Sequence, residues 1–280
     1  MKKNHPLITI NKVSYSYTEQ NKALDNINVN IYAGEIMGIM GQNGAGKTTL
    51  IRTLNGLIRP SNGDVFIDGK NIELQTIAQL SAKVGIIFQN PSLQLFSNTV
   101  EDEIKFSLKN LELDQQKLED KTEYYLDLFD LKQYRTRSPL NLSGGETKKL
   151  ATATILCRDP DILVFDEPTL GQDAKEIEFF VNLITEQKEL GKTIIIVTHN
   201  IEFAVEYIPR TILMADGKIL ADGPTKKILT NKDLIKKSSL ILPQIYKFCL
   251  ELRKHGIHCP DDILLKEDMV HFLSEYLKKQ

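Results

Sequence analysis

The chain has 280 residues, 41% of them hydrophobic and 26% charged, enough for a large α/β domain with an ample core and a small appendage. Its formal net charge of −2 supplies no basic field, which speaks against nucleic acid as a partner. The apolar run behind the basic start Met1-Lys2-Lys3 is too short for a signal peptide, and no other run reaches membrane-spanning length, so a cytosolic location is expected.

From Leu7 to Tyr32 the apolar residues alternate, through Ile8, Ile10, Val13, Tyr15 and Tyr17 and then Ile27, Val29 and Ile31. That period predicts antiparallel strands with one wet face. Glu35 to Met40 reads as a short buried strand, and Lys47 to Leu57 carries apolar residues at helical spacing. Between them Gly41-Gln42-Asn43-Gly44-Ala45-Gly46-Lys47-Thr48 fits G-x-x-x-x-G-K-[ST], a loop that cradles phosphate. The glycines let the backbone turn with its N–H groups inward, and the following helix offers its positive dipole end to the same anion. Lys47 then meets the β- and γ-phosphates and the Thr48 hydroxyl holds Mg²⁺. The four fixed positions would match by chance on the order of once in a hundred chains of this length. A glycine-rich turn beside a surface lysine is the plainer reading, and the strand before and helix after the loop argue against it.

Asp64 to Ile67 predicts another strand, closed by the Asp68-Gly69 turn. Val84 to Phe88, Ile162 to Phe165 and Ile194 to Val197 are continuous β-branched runs, as in a parallel sheet covered on both faces. A helical insertion at about 97–157 separates the first two. Thr99-Val100-Glu101-Asp102 reads as a capping box opening its first helix, Gln115 to Phe129 as a second helix, and a third follows Leu142-Ser143-Gly144-Gly145-Glu146. Asp173 to Leu190 is an amphipathic helix stopped by Gly191, and Ile212 to Leu220 a hairpin on Asp216-Gly217. After about Thr225 the composition changes, and two amphipathic helices separated by Pro260-Asp261-Asp262 form a C-terminal appendage. The three cysteines, Cys157, Cys249 and Cys259, are scattered and odd in number, so no disulfide framework is expected. His255, His258 and Cys259 tempt a metal reading, but a fourth ligand is not apparent and a turn between helices accounts for them.

Three of the buried runs end on chemistry. In an open parallel sheet ligands bind at the carboxyl ends of strands, where this sequence places Asp166 and Glu167, His199 and Gln89. Asp166 suits Mg²⁺ held through water, Glu167 suits proton abstraction from an attacking water, and the Gln89 amide can touch both water and Mg²⁺. A solvated acidic turn before Pro168 is the bland alternative, but a carboxylate pair directly after a buried strand is costly without a cation or proton to serve. Ser143-Gly144-Gly145-Glu146 is both a capping box and an anion site of the helix-N-terminus kind.

These pieces, in this order, resemble the ABC ATPase family over nearly all of residues 7 to 225. Gly41 to Thr49 matches Walker A, Gln89 the Q-loop, Leu142 to Glu146 the signature, Ile162 to Glu167 Walker B, Asp173 the D-loop and His199 the switch histidine. The resemblance implies a P-loop NTPase fold: a RecA-like parallel sheet core with an N-terminal antiparallel β subdomain, an inserted α-helical subdomain and a small C-terminal helical extension. Residues 1–225 then form the ATP-binding domain and 226–280 the extension. It implies an ATP hydrolase coupled to transport, with ATP and Mg²⁺ as cofactors. Asn43, Gly44, Gly46, Lys47, Thr48 and Thr49 bind the nucleotide with Gly41 and the signature residues Ser143, Gly144 and Gly145. Tyr17 matches the aromatic that stacks on adenine; Thr48, Gln89 and Asp166 take the metal, and Glu167, His199, Gln89 and Lys47 are catalytic.

It also implies a head-to-tail dimer with a second ATP-binding subunit, each ATP lying between one subunit's Walker A and the other's signature. Phe88-Gln89-Asn90-Pro91 with Gln94, Phe96, Thr99-Val100 and Phe106, and the C-terminal helices, resemble the ATP-binding subunits of energy-coupling-factor transporters, which take up vitamins or metal ions. There the groove near Gln89 to Phe106 receives an integral membrane subunit, which links the cassette indirectly to a substrate-binding membrane subunit, on the cytoplasmic face of the membrane. A conventional ABC importer or exporter, or a soluble ABC ATPase of DNA repair or translation, are the alternatives. The sequence departs from the family pattern at Glu146, where Gln is usual, at Gln172, where Leu is common, and at Thr147-Lys148-Lys149. A glutamate at 146 weakens ATP-driven closure unless it folds back on Ser143.

Overall fold

The computed structural model describes residues 5–19 and 21–278; the basic start Met1-Lys2-Lys3 lies outside them. The alternating N-terminal stretch forms β1 (Ile8–Thr18) and β2 (Asn21–Ile31), and the strand before the glycine loop is β3 (Ile36–Met40). After α1 (Lys47–Leu54) come β4 (Asn62–Ile67), β5 (Lys70–Asn71), α2 (Ile77–Lys83) and β6 (Val84–Ile87). The insertion contains α3 (Val100–Leu108), α4 (Gln115–Leu128) and α5 (Gly144–Leu156). Next are β7 (Ile162–Asp166), α6 (Ala174–Glu189), β8 (Thr193–Val197), α7 (Ile201–Tyr207), β9 (Arg210–Ala215) and β10 (Lys218–Pro224). Four helices close the described chain: α8 (Thr225–Thr230), α9 (Lys232–Lys237), α10 (Gln244–Lys254) and α11 (Lys266–Lys278).

Among the described residues the strands form two sheets. One is antiparallel, in the order β2-β1-β4-β5; the other runs β10-β9-β3-β8-β7-β6, parallel apart from the edge strand β10. The continuous apolar runs are explained by two cores, one on each face of the second sheet. On β7, Ile162 and Val164 join the cluster that includes Ile8, Ile27 and Leu50, while Leu163 and Phe165 join the helices on the other face. Ile195 and Val197 divide from Ile194 and Ile196 in the same way on β8. A strand buried on both faces has no position for a polar residue until it ends, so the polar residues gather at its mouth.

The structure adds short helices that hydrophobic periodicity did not reveal: α2, α7, α8 and α9. At Thr99 the capping is one-sided. Its hydroxyl oxygen accepts from the Asp102 N–H at 3.0 Å, but the Asp102 carboxylate takes the Thr99 hydroxyl at 2.7 Å instead of its backbone N–H, so the expected reciprocal box is incomplete. The main apolar cluster continues past residue 225 through Ile228, Leu229 and Ile235, and a smaller one forms around Cys249, Cys259, Ile263 and Met269. Cys249 and Cys259 are bridged, with Cα atoms 5.5 Å apart, a single disulfide where the scattered cysteines predict no framework. Gly256, at φ +81°, ends the turn after α10 and folds residues ten apart onto one another. Cys157 remains a buried thiol, and its burial pushes its pKa up to about 12.

Candidate nucleotide site

The glycine loop leaves β3 and enters α1. Gly46 caps that helix at φ +97°, where a Cβ would stand 2.4 Å from the Ala23 carbonyl oxygen, so both the backbone shape and the close approach of β2 require glycine. The first turn of α1 contains no acidic residue, which leaves its N–H groups and dipole available to an anion. Lys47 is 7% exposed and folds over the loop, its Nζ donating to the carbonyls of Gly41 at 2.7 Å and Gln42 at 3.0 Å. Burial lowers the pKa of this ammonium, while Glu167 and Asp166 act to raise it.

Asp166 is the last residue of β7 and is 5% exposed. The Thr48 hydroxyl donates to its Oδ2 at 3.1 Å, and burial pushes the carboxyl above its ordinary range despite that bond. Two hard oxygen donors meeting at the mouth of the loop, one on a carboxylate that burial opposes, are a donor set that fits Mg²⁺.

Glu167 follows in the left-handed region, φ +53°, with its N–H donating to the Val197 carbonyl at 2.8 Å. Its carboxylate turns to the end of β8, where Oε1 lies 2.8 Å from His199 Nδ1 and Oε2 accepts the His199 N–H at 3.3 Å. The imidazole is half-exposed while the carboxylate is buried, so the histidine forms the wetter side of the pair. This arrangement can accept a proton at the carboxylate and hold the resulting acid against the ring.

A cavity of about 500 Å³ collects these groups. Tyr17, Asn43, Gly44, Gly46, Lys47, Thr48, Thr49, Gln89, Asp166, Glu167 and His199 all line it. Gly41 sits beneath, holding Lys47. Tyr17 is half-exposed, stands edge-on to Tyr15 at 5.1 Å between centroids, and shares a hydrogen bond with the Thr49 hydroxyl at 3.2 Å. Gln89 lines the cavity just past β6, whose open edge is met by Gln94: its amide donates to the Ile86 carbonyl at 2.9 Å and accepts the Phe88 N–H at 3.1 Å. This strand-like pairing of Gln94 has no signature in the sequence.

Ser143, Gly144 and Gly145 do not line that cavity. They form the start of α5, with Ser143 as N-cap and Glu146 folded back to accept the Ser143 N–H at 2.7 Å, a complete capping box. A hydrogen bond from Tyr134, then the Ser143 backbone, holds the Glu146 carboxyl below its ordinary pKa. The glutamate is therefore held back on its own helix end.

Beyond Gln89 an apolar face opens. Leu93, Phe96 and Phe106 are 83%, 66% and 51% exposed, and the two phenyl rings meet edge to face at 4.7 Å. Beneath them Glu103, 2% exposed, receives the N–H groups of Phe96 and Ser97 on Oε2, a support that sequence periodicity could not show. At the other end of the chain the Cys259 sulfur faces Cys249, and among the described residues no three His, Cys, Asp or Glu side chains cluster as metal ligands. No described helix is long and apolar enough to cross a membrane.

Comparison with known proteins bears on this site. A family model described as ABC transporter matches residues 24–170. A protein of Methanosarcina acetivorans named for an ABC transporter ATP-binding role is 39% identical over 268 residues; the match takes in 96% of this chain but 44% of that protein. The chain thus spans less than half the length of such curated relatives. The energy-coupling factor transporter ATP-binding protein EcfA of Methanothermobacter thermautotrophicus is 34% identical, over 95% of this chain and 88% of its own length. Among solved structures, cbiO1 of Clostridium perfringens, described as part of the ABC transporter complex cbiONQ, superposes with TM-score 0.73 at 32% identity, covering 90% of this chain and 98% of its own.

Proposed function

Because the chain belongs to the ABC transporter family, we propose that it is the ATP-hydrolysing subunit of a membrane transporter, of the energy-coupling-factor type that takes up a vitamin or a metal ion. The observation that carries the reading is the convergence of Gln89, Asp166, Glu167 and His199 from three strand ends onto the loop that holds Lys47 and Thr48. The kinship with EcfA and with cbiO1 supports the subtype.

In this reading the loop backbone and Lys47 bind the β- and γ-phosphates of ATP, and Tyr17 stacks on adenine. Thr48, Asp166 and Gln89 would hold Mg²⁺, which would supply charge neutralisation to the phosphates. Lys47 needs only to exchange two neutral carbonyls for phosphate oxygens. Glu167 takes the proton of the attacking water, and His199 fixes the carboxylate that receives it. Ser143, Gly144 and Gly145 serve the site of a second ATP-binding subunit, which explains their position away from their own chain's cavity. The exposed face at Leu93, Phe96 and Phe106 receives an integral membrane subunit, so the protein works peripherally at the cytoplasmic membrane face. Residues 1–225 act as the cassette and 226–280 as the C-terminal extension, anchored to the main core by Ile228, Leu229 and Ile235.

Two measurements test this. Glu167→Gln should retain ATP binding while hydrolysis is lost; turnover at the unmodified rate would remove Glu167 from the role of base. Extraction in mild detergent should bring membrane proteins with the tagged chain, and recovery only with ribosomes or DNA would exclude the transporter role.

A further inference from the structure

Between Glu167 and α6 the chain makes a tight turn whose carbonyl groups at Pro168 and Leu170 point away from their own segment. Both are taken by one side chain from a different part of the fold. Lys148, in the second turn of α5, sends its Nζ to the Pro168 oxygen at 2.9 Å and to the Leu170 oxygen at 3.1 Å. Burial lowers its pKa, and Glu176 and Glu167 act in the opposite sense to retain its charge.

The turn that Lys148 grips is the one that holds Glu167 in an unfavourable backbone shape. A β-carbon at φ +53° is strained, and such a residue keeps its conformation only when its surroundings over-determine it. Leu170 closes the turn by donating its N–H to the Glu167 carbonyl at 3.3 Å, and Gln172 donates to Thr169 at 3.3 Å. Leu170 is thus held through its N–H by Glu167 and through its carbonyl by Lys148. A second contact, one turn earlier on α5, joins this helix to the start of α6. A Cβ on Gly145 would lie 2.2 Å from Glu176 Oε1, so the start of α5 packs directly on the first turn of α6.

We infer that Lys148 is a positioning residue for hydrolysis: it clamps the turn behind Glu167 and so ties the carboxylate's alignment on His199 to the position of α5. The inference rests on the reading of Glu167 as proton acceptor. The hydrogen bonds of Lys148 go to the turn and to neither the phosphate loop nor the Mg²⁺ donors, so its effect falls on the chemical step and spares nucleotide binding. Displacement of the helical subdomain relative to the sheet then draws on the Pro168 and Leu170 carbonyls and loosens Glu167, which makes hydrolysis sensitive to what the helical subdomain touches.

The experiment compares Lys148→Met, Lys148→Arg and Glu167→Gln in the full chain, with steady-state ATP hydrolysis, equilibrium binding of a fluorescent ATP analogue and a melting curve for each. Lys148→Met should fold, bind the analogue as the parent does, and lose about 10- to 100-fold in kcat, the scale of a small misplacement of a reacting group. Lys148→Arg, whose guanidinium can donate to both carbonyls, should recover most of that loss. Parental kcat in Lys148→Met overturns the inference, as does equal loss of kcat and analogue affinity in both lysine variants. If Lys148→Met fails to fold, Lys148→Gln is judged by the same outcomes. Parental turnover in Glu167→Gln would instead overturn the reading beneath it, so the two failures are told apart.

Discussion

Replacing Glu103 by alanine tests how the apolar face beyond Gln89 is built. The carboxylate is 2% exposed, and its Oε2 accepts two backbone N–H groups, from Phe96 at 2.9 Å and Ser97 at 2.6 Å. Truncation removes the acceptor and leaves both donors in a part-buried turn that water can partly reach. An unsatisfied buried donor costs about 1–3 kcal/mol, and partial access to water keeps these two in the lower part of that range, so the pair together costs about 2–4 kcal/mol. Against a total stability of about 5–15 kcal/mol this is a large fraction. If the turn unfolds only with the whole domain, each kcal/mol lowers the melting temperature by about 2–4 °C for a chain of this size, giving a drop of roughly 4–16 °C. If the turn opens by itself, the cost appears locally, as faster hydrogen exchange at the Phe96 and Ser97 amides. Glu103→Gln keeps an acceptor oxygen without the charge and should lose about half as much. Melting curves and amide exchange together cover both routes. A Glu103→Ala variant that melts with the parent and protects both amides equally would refute the account of this carboxylate.

Other perturbations follow from the same geometry. Because burial raises the folded-state pKa of Asp166 above 3.8, the folded chain holds that proton more tightly than the unfolded chain, so stability falls as pH rises through the window between the two values. Asp166→Asn cannot ionise; without nucleotide or metal it should melt above the parent at pH 7, with an advantage that shrinks toward pH 4, while hydrolysis falls about 100-fold or more. A variant melting at or below the parent at pH 7 would contradict the burial cost. His199→Ala removes the partner of Glu167 Oε1 and should lower kcat by about 10²- to 10⁴-fold with ATP affinity little changed, and turnover equal to the parent's would leave the histidine without a role in the step. Reducing the Cys249–Cys259 bridge, which closes a loop of sequence separation 10, should cost the C-terminal helices about 2–3 kcal/mol, read as faster proteolysis of that segment. Identical protection with and without reductant would show that the bridge adds nothing.

What was legible in the sequence is what the backbone dictates locally. Gly46 must be glycine because its φ and the Ala23 carbonyl admit nothing larger, and such a constraint leaves a trace in residue type. The buried runs ending at Gln89, Asp166 and His199 betray their sheet because both faces are covered. Lys148 and Glu103 left no such trace. Each is a charged residue in the first turns of a helix, where solvent is the default partner, and only the tertiary path brings backbone groups to it. The bridge was hidden for the same reason, since a spacing of ten says nothing until the turn at Gly256 folds it. Of the short helices that were overlooked, α2 did announce itself: Thr76 and Gln79 form a complete capping box, a pattern visible at sequence level. Its few apolar residues gave too little periodicity to draw notice.

The sheet edge that carries the site is built at a cost to the fold. Lys47, Asp166 and Glu167 are all nearly buried, yet each bonds elsewhere: Lys47 to the carbonyls of Gly41 and Gln42, Asp166 to Thr48, Glu167 to His199. Burial opposes the charge on both Lys47 and Asp166. An ion pair between them would relieve that cost, but a phosphate would then have to break the pair before it could bind. Neutral partners leave the ammonium and the carboxylate able to meet an anion and its cation without such a penalty. The stability forgone in the free chain is returned on binding, because a ligand that binds only the folded state stabilises it in proportion to its occupancy. The strain at Glu167 belongs to the same economy: it points the carboxylate at His199, and its retention depends on contacts from β8 and from α5 at once. On the proposed roles, stability and hydrolysis are therefore coupled through adjacent residues at one strand end, which is where displacement of α5 reaches Glu167.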